Sequence, residues 1–190
     1  MRFIVSGFLL LCFAALPAFA ATDDALRYGV QTSMNSYHID DPVGQTATGS
    51  GLSLGGIALL DVGRDSRLMF NLNRDTYTLA GSSNTVGQNV SSLDGGLSYQ
   101  KMLRVSRTWK PWVGAGLGYS STTYRNRFTV TPGGFSTLYA DRTATAFSML
   151  LNANSEWQLN RDWDMGLQAQ LSKSISDKSG ILSFGIYVVY

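Results

Sequence analysis

The chain has 190 residues and a formal net charge of +2, and 44% of its residues are hydrophobic. A charge so close to neutral argues against a nucleic-acid partner, which would need a basic stripe, and the length suits one domain. One histidine and one cysteine are too few for a clustered metal site, so we predict neither a metal nor a cofactor.

The first twenty residues have the pattern of a secretory signal peptide. Arg2 precedes an apolar run over residues 3–16, and residues 18–20, Ala-Phe-Ala, form a small-x-small cleavage site. The apolar run is shorter than the ~20 residues that a transmembrane helix needs. We therefore expect residues 1–20 to be removed on export, together with Cys12, and residues 21–190 to form one domain.

Strict alternation of apolar and polar side chains recurs along the rest of the chain, whereas helical periodicity does not. It predicts eight strands near residues 26–33, 52–60, 68–73, 93–100, 113–120, 147–157, 163–172 and 182–190. Each is close to the ~9–11 residues with which a tilted strand crosses hydrocarbon. Only the second strand is irregular. There Ile57 and Leu59 interrupt the polar face, which indicates either a β-bulge or a different register.

The connections between these strands alternate in length. Those after the second, fourth and sixth strands are tight, at residues 61–65, 101–108 and 159–162. Those after the first, third and fifth are long and polar, at residues 38–47, 78–88 and 125–142, while the last connection, residues 174–179, is short. Short turns at one end and long loops at the other are typical of outer-membrane barrels, whose turns face the periplasm.

Aromatic residues collect near both sets of strand ends. The four tryptophans flank the short turns and Tyr190 ends the last strand, so we predict an aromatic girdle of Trp109, Trp157, Trp163 and Tyr190, with Trp112 nearby. Four tyrosines near the opposite ends predict a second belt: Tyr37, Tyr77, Tyr119 and Tyr124. The alternative is that all of these are ordinary aromatics at strand ends.

Alternation alone does not say which face lies inside, and a soluble periplasmic barrel with an apolar interior is the rival fold. The polar face is rich in amides and glycine but poor in the lysine and glutamate that a solvated surface favours. Its amides are Gln31, Asn71, Asn73, Asn152, Asn154, Gln168 and Gln170. We therefore predict an all-β fold, a closed antiparallel eight-stranded up-and-down transmembrane β-barrel, present as a monomer.

Two segments carry a resemblance to a known family. Residues 112–119, Trp-Val-Gly-Ala-Gly-Leu-Gly-Tyr, followed by Ser-Ser-Thr-Thr, resemble the fifth strand of small barrels of the OmpX/Ail and OmpA transmembrane-domain type. The last strand resembles the C-terminal signal that outer-membrane assembly machinery reads, although Tyr190 stands where phenylalanine is commoner. The resemblance implies a Gram-negative outer-membrane location, neighbouring lipids and lipopolysaccharide, and barrel assembly machinery as a partner.

Charges that face a narrow lumen need partners because an unpaired buried charge is costly. We predict a polar network in which Arg27 pairs with Glu156 and Asp164 near the periplasmic end, with three more members higher up. Those members are Asn71, Asn73 and Asp94. Such a network fills the lumen as a plug. The alternative is a gate in a narrow channel for small or hydrophobic solutes.

The outer loops are the other candidate site. Arg125, Arg127 and Arg142 bracket the longest loop and suit bidentate contacts with lipopolysaccharide phosphates. Within that loop Phe135 and Tyr139 either contact a host or matrix surface, as the resemblance implies, or pack on the returning strand, while Phe128 and Val130 extend the fifth strand. We predict a structural or adhesive role.

A lipid A-modifying enzyme is a third interpretation, because outer-membrane lipid A acyltransferases and deacylases resemble this chain in size. The sole histidine, His38, lies at the outer end of the first strand beside Asp40 and Asp41. However, His38-Ile39-Asp40 lacks the His-x-Ser arrangement associated with the deacylases, and no motif places a serine as nucleophile. We therefore predict no catalytic residues.

Overall fold

The computed structural model describes residues 26–40, 46–79, 88–106, 109–125, 127–130, 136–139 and 141–190. The predicted signal peptide, residues 1–20, lies outside the described residues. Within those residues, no helix has the length and apolar character to cross a membrane.

Eight of the strands in the described part of the chain close into an antiparallel barrel, each strand paired with its neighbours along the chain. The predicted closed up-and-down β-barrel is confirmed. Two further short strands form a separate hairpin within the longest loop. The strands are β1 (Leu26–Asp40), β2 (Thr46–Gly63), β3 (Ser66–Leu79), β4 (Gln88–Met102), β5 (Trp112–Arg125), β6 (Arg127–Val130), β7 (Ser136–Tyr139), β8 (Arg142–Gln158), β9 (Asp164–Ser174) and β10 (Gly180–Val189).

The two ends of the barrel differ, and we name them by their connections. The turn end carries the connections β2–β3, β4–β5 and β8–β9 together with Tyr190, and the loop end carries the other four. Residues 41–45, 80–87, 126, 131–135 and 140, at the loop end, lie outside the described residues.

The stagger of the strands fixes the width of the barrel. A row of paired residues leaves β8 at Ser155, passes once around the barrel through Thr32 and Arg74, and returns to β8 at Thr145. The shift of ten residues (155 − 145) corresponds to a strand tilt of about 40°. An eight-stranded barrel of this kind has an interior that side chains can fill.

The two faces of the barrel have opposite character. Large apolar side chains on the outside are widely exposed, including Leu117 at 63%, Phe147 at 64% and Phe184 at 59%. The inward amides are buried, with Asn152 and Asn154 exposed by only 5% and 2%. An apolar exterior around a polar core suits lipid rather than water. The rival fold, a soluble barrel with an apolar interior, is therefore wrong.

The strands are longer than predicted, and the β1–β2 and β3–β4 loops are correspondingly shorter. β2 has 18 residues and β8 has 17. On β5 the outward side chains are apolar up to Tyr119 and then become Ser121, Thr123 and Arg125. The hydrogen-bonded ladder therefore continues past the apolar band, into a stretch where hydroxyl groups face outward.

The irregular second strand has a regular register after all. Ile57 pairs with Gly29 and Asn71, and the only shift in its pairing with β3 lies between Asp61 and Gly63, next to the tight turn. Ile57 and Leu59 are 3% and 0% exposed because they point into the lumen. The apolar residues on the polar face therefore indicate an apolar patch of the interior, not a bulge or a shifted register.

Phe128 and Val130 do not extend β5 within the barrel sheet. They belong to the β6–β7 hairpin, where they pair with Leu138 and Ser136. The side chains of this hairpin, including those of Arg127 and Tyr139, and all of Phe135 lie outside the described residues.

Candidate functional site: the lumen and the outer rim

Paired charges fill the lumen at the turn end. Arg27 donates a hydrogen bond to Asp164 at 2.8 Å and a longer one to Glu156 at 3.5 Å, and Asp61 lies 3.9 Å away. Arg67, which is fully buried, also binds Glu156. The structure thus brings together Arg27, Glu156 and Asp164, as the sequence-based hypothesis requires.

The sequence analysis missed two of these charges, Asp61 and Arg67, and Arg67 is the more buried of the two. Its Nε donates to Gln100 Oε1 at 2.6 Å, and its guanidinium carbon lies 4.2 Å from the centroid of the Trp112 ring. A guanidinium over an indole face is a cation–π contact, which favours this residue's burial. The alternation of the sequence could have predicted its inward position, because Arg67 shares the inward face of β3 with Asn71 and Asn73.

Glu156 is the centre of these contacts. It accepts hydrogen bonds from both arginines and from the Tyr187 hydroxyl, the last at 2.5 Å. Two arginines thus face three carboxylates inside a region of low dielectric, where charges are tolerated only in compensating groups.

An apolar cluster lies beside these charges and, together with them, fills the lumen at the turn end. Tyr187 belongs to both groups, since its ring packs with the cluster while its hydroxyl binds Glu156. The Met69 sulfur accepts from the Gln100 and Asn154 amides. We call the charges and the cluster together the turn-end plug: Arg27, Asp61, Arg67, Glu156, Asp164, Ile57, Leu59, Met69, Tyr187 and Val189.

Hydrogen-bonded amides follow along the lumen. Asn71 donates to Gln170 at 3.1 Å, and Gln31 donates to Asn73 at 2.5 Å. Gly55 makes the second contact possible, because a Cβ there would lie 2.1 Å from Asn73 Oδ1. Asn73 is the register partner of Asp94. In the described part of the chain, none of Asn71, Asn73 and Asp94 hydrogen-bonds to the charges of the plug.

A cavity of about 160 Å³ lies in the loop-end half of the lumen. Amides, hydroxyls and three aspartates, Asp75, Asp94 and Asp177, line its walls. Asp94 accepts from Ser92 Oγ at 2.9 Å, while Asp75 accepts from Asn35 at 3.3 Å and from the Tyr37 hydroxyl at 3.0 Å.

Aromatic and aliphatic side chains close over this cavity. The rings of Tyr37 and Tyr77 stack with their centroids 3.6 Å apart. We call this layer the loop-end lid: Tyr37, Ile39, Tyr77, Val90 and Tyr124. The predicted second belt is therefore wrong for three tyrosines, whose side chains lie buried in the lumen. Only Tyr119 faces outward, against Phe147 at 5.2 Å between centroids.

The predicted girdle residues are all exposed near the turn end. Trp163 and Tyr190 pack with their centroids 5.4 Å apart, and Trp109 donates to Ser155 Oγ at 3.1 Å. Trp157 is 40% exposed. Trp112 differs, because its inward register on β5 buries it beneath Arg67. Amphipathic rings in such positions suit the headgroup level of a bilayer.

An ion pair joins two of the tight turns. Both carboxylate oxygens of Asp65 accept from Arg104, at 2.9 and 2.8 Å. This hydrogen bonding lowers the pKa of Asp65, which lies in the turn after β2.

The arginines predicted at the outer rim lie high above the apolar band. Arg125 is six residues beyond Tyr119 on β5, about 15 Å further along the barrel axis at this tilt. Arg142 is exposed and pairs in register with Tyr124. Arg125 occupies an outward register position, whereas Arg142 occupies an inward one, so the two arginines face different sides of the rim.

Two other cations stand at the outer edge of the apolar band and were missed. Arg74 is exposed on β3 between Leu54 and Leu93, its lipid-facing register partners. Lys173 follows Leu171 on the outward face of β9, and its amine donates to the Lys178 carbonyl. Both cations could have been found in the sequence, because on each strand a single basic residue follows the last outward apolar residue.

His38 is exposed at the loop end of β1, paired in register with Thr48 and Gly180. In the described part of the chain, no three His, Cys, Asp or Glu side chains form a metal-binding cluster.

Comparison with solved structures agrees with this architecture. The attachment invasion locus protein Ail of Yersinia pestis matches with a TM-score of 0.50 and 8% identity, over 86% of this chain and 97% of that one. Neisserial surface protein A matches with a TM-score of 0.52 and 17% identity, also over 86% and 97%. The chain therefore has the fold of the small eight-stranded outer-membrane barrels. No family model matches the sequence, and no curated protein matches it.

Proposed function

We propose that this barrel is a closed envelope protein of the Gram-negative outer membrane, with a structural and surface-interaction role carried by its extracellular loop end. The observation that carries the proposal is the filled lumen. The turn-end plug joins charges and apolar side chains across the barrel, and the loop-end lid covers the cavity. A lumen blocked at the turn end and partly covered at the loop end favours this role over transport.

Lipopolysaccharide is the partner that the outer surface favours. Arg74 and Lys173 stand where the apolar band ends, at the level where phosphate groups meet hydrocarbon. Long basic side chains can keep their stems in lipid and extend their charges to the interface. Arg125, Arg142 and Arg127 lie further out and suit phosphates or sulfates of surface saccharides.

A sulfated probe makes this outer contact measurable. Ail of Yersinia pestis has also been solved with the heparin analogue sucrose octasulfate, and that structure matches this chain with a TM-score of 0.50 and 10% identity, over 87% of this chain and 98% of that one. In this chain, the arginines at the loop end supply the positive charge for such a contact. The same exposed end suits a host or matrix surface.

Binding by the refolded full chain tests the proposal. We expect Arg74→Ala with Lys173→Ala to weaken binding to lipopolysaccharide in vesicles by at least about tenfold, since the loss of each charged contact costs about a factor of ten. Arg125→Ala with Arg142→Ala should likewise weaken binding to sucrose octasulfate. Arg161→Ala, at an exposed site on the turn end, is the matched control and should change neither. Equal binding by all variants would contradict the proposal.

A narrow channel is the second candidate, favoured by the polar cavity beneath the lid. Planar-bilayer recording of the purified barrel separates the two functions. The closed barrel should give no stable unitary currents, whereas reproducible single-channel steps would establish the channel instead.

The non-enzymatic role remains a prediction. Mass spectrometry of lipid A from cells with and without the protein tests it, with unchanged acylation as the expected result. A gained or lost acyl chain would make His38 the first candidate for a catalytic residue.

A further inference from the structure

Three buried oxygen atoms around the loop-end cavity have no hydrogen-bond donor among the described residues. They are Asp75 Oδ1, Asp94 Oδ2 and Gln31 Oε1, and all three residues line the cavity in the loop-end half. Asp75 is 4% exposed and Gln31 is 8% exposed, so water outside the barrel does not solvate these groups. An unsatisfied buried acceptor is costly, and an uncompensated carboxylate more so.

The two aspartates lie side by side. In the β3–β4 register Asp75 pairs with Ser92 and Asn73 with Asp94, so the two carboxyl groups are diagonal neighbours on the inward face. They come within hydrogen-bonding reach of each other. Neighbouring groups already occupy their other oxygens, since Ser92 donates to Asp94 while Asn35 and Tyr37 donate to Asp75.

Positive charge is missing from the described lining of this cavity, in contrast to the turn end. Among the described residues that line the cavity there is no lysine or arginine, although Asp177 adds a third carboxylate. At the turn end each carboxylate of the plug meets an arginine. Arg27 and Arg67 balance the negative charges there, whereas no basic residue of the described cavity lining balances Asp75 and Asp94.

We infer that this cavity is a binding site for a small hard cation, held by Asp75 Oδ1 and Asp94 Oδ2 with Gln31 Oε1 as a third oxygen. Carboxylate and amide oxygens are the ligands that Ca²⁺ and Mg²⁺ prefer, with waters completing the shell. The cavity of about 160 Å³ is large enough for several waters, which is room for a partly hydrated ion. Two carboxylates make a modest site, so its Kd is on the order of 0.1–1 mM.

Access is from the loop end, on the side of the β9–β10 turn rather than through the loop-end lid. Asp177 and Ser179, in the β9–β10 turn, line the same cavity as Asp75 and Asp94. The turn-end plug closes the opposite side. The site therefore samples the cations outside the cell, and it is independent of the lipopolysaccharide contacts proposed above.

Terbium luminescence on the full chain, refolded in detergent, tests the inference. Tb³⁺ replaces Ca²⁺ at oxygen sites, and Tyr37 beside Asp75 would sensitise its emission. We expect saturable emission that Ca²⁺ displaces, and a Ca²⁺-dependent rise in Tm, because a ligand that binds only the folded state stabilises it. Asp75→Asn and Asp94→Asn keep the shape of each side chain and should weaken binding at least roughly tenfold.

Asp162→Asn, in the exposed β8–β9 turn, is the matched control and should bind like the unsubstituted protein. A gel shift between heated and unheated samples reports whether each variant is folded. Two results would overturn the inference. One is the absence of saturable, Ca²⁺-displaceable emission from the unsubstituted barrel, as expected if the two carboxyls share a proton instead. The other is unchanged binding by folded Asp75→Asn and Asp94→Asn variants.

Discussion

Glu156 joins Arg27, Arg67 and Tyr187 into one network, so its charge is central to the turn-end plug. Glu156→Gln keeps the shape of the side chain but leaves Arg67 buried without a carboxylate. We expect this variant to lower the free energy of unfolding by about 3–5 kcal/mol, the usual effect of breaking a buried pair. Urea unfolding in lipid vesicles, followed by tryptophan fluorescence, measures it.

The double variant Glu156→Gln with Arg67→Met is the control for that interpretation. Removing both charges should recover part of the lost stability, since apolar residues can replace a buried ion pair at little cost. A double variant that is less stable than Glu156→Gln alone would mean that Arg67 contributes mainly through Trp112 and Gln100.

Gly166 gives a steric test of the same region. A Cβ at this position would lie 2.2 Å from Tyr187 Cζ, and the Tyr187 ring is held in place by its hydrogen bond to Glu156. Gly166→Ala should therefore lower the unfolding free energy by about 1–3 kcal/mol in the same assay. Gly56→Ala is the matched control, because the nearest atom to its Cβ is 3.8 Å away. Equal stability of the two variants would show that the ring moves aside freely.

At the scale of the strands, the sequence was sufficient for the fold and for the inward or outward direction of most side chains. Period-two alternation places Asn152 inside and Leu151 outside because neighbouring residues of a strand point to opposite faces. The extent of the strands was harder to predict. β5 keeps its ladder through Ser121 and Thr123, where hydroxyl groups face outward and no apolar alternation remains.

Contacts between distant strands could not be predicted from alternation. Arg67 and Glu156 are separated by 89 positions and meet only because of the ten-residue stagger of the barrel. The lid was missed for a related reason. A tyrosine at a strand end suits either a headgroup or a lumen, and only its position in the alternation decides, as Tyr37 and Tyr119 illustrate.

β2 provides a test of an element that carries apolar side chains on both faces. Leu59 is fully buried in the plug, whereas Leu54 on the same strand is 68% exposed to the lipid side. Leu59→Ala leaves a cavity among Ile57, Met69 and Tyr187, and we expect a loss of about 2–5 kcal/mol in unfolding free energy. Leu54→Ala should lose less, since a lipid tail fills the space. The reverse order would mean that the lumen side of β2 packs loosely.

In the whole molecule, the two faces of each strand have different roles. The outward face meets lipid around the closed barrel, and the inward face fills the lumen. Pairing of β1 with β10 leaves no open edge in the barrel sheet, and a lipid environment does not tolerate open edges. Inside, the chain builds its polar core from two unlike halves. The turn-end half is compensated by arginines, while the loop-end half keeps Asp75 and Asp94 beneath aromatic rings.

The height of the apolar band predicts which bilayer the barrel prefers. On β8 the band runs from Phe147 to Trp157, about 25 Å along the axis at a tilt of about 40°. Membrane proteins lose fractions of a kcal/mol per Å of mismatch, and the bacterial outer membrane is thinner than average. We therefore expect the urea midpoint to be highest in vesicles with hydrocarbon about 25 Å thick and lower at about 30 Å.

Arg74→Leu with Lys173→Leu tests the cause of that preference. These substitutions remove the two charges that end the apolar band and extend it toward the loop end. The optimum should then move toward thicker bilayers, because added apolar surface favours longer lipid chains. If both proteins keep the same optimum, the thickness preference arises from the turn-end girdle of Trp157, Trp163 and Tyr190 instead. Replacing Trp163 with leucine would then be the variant that shifts it.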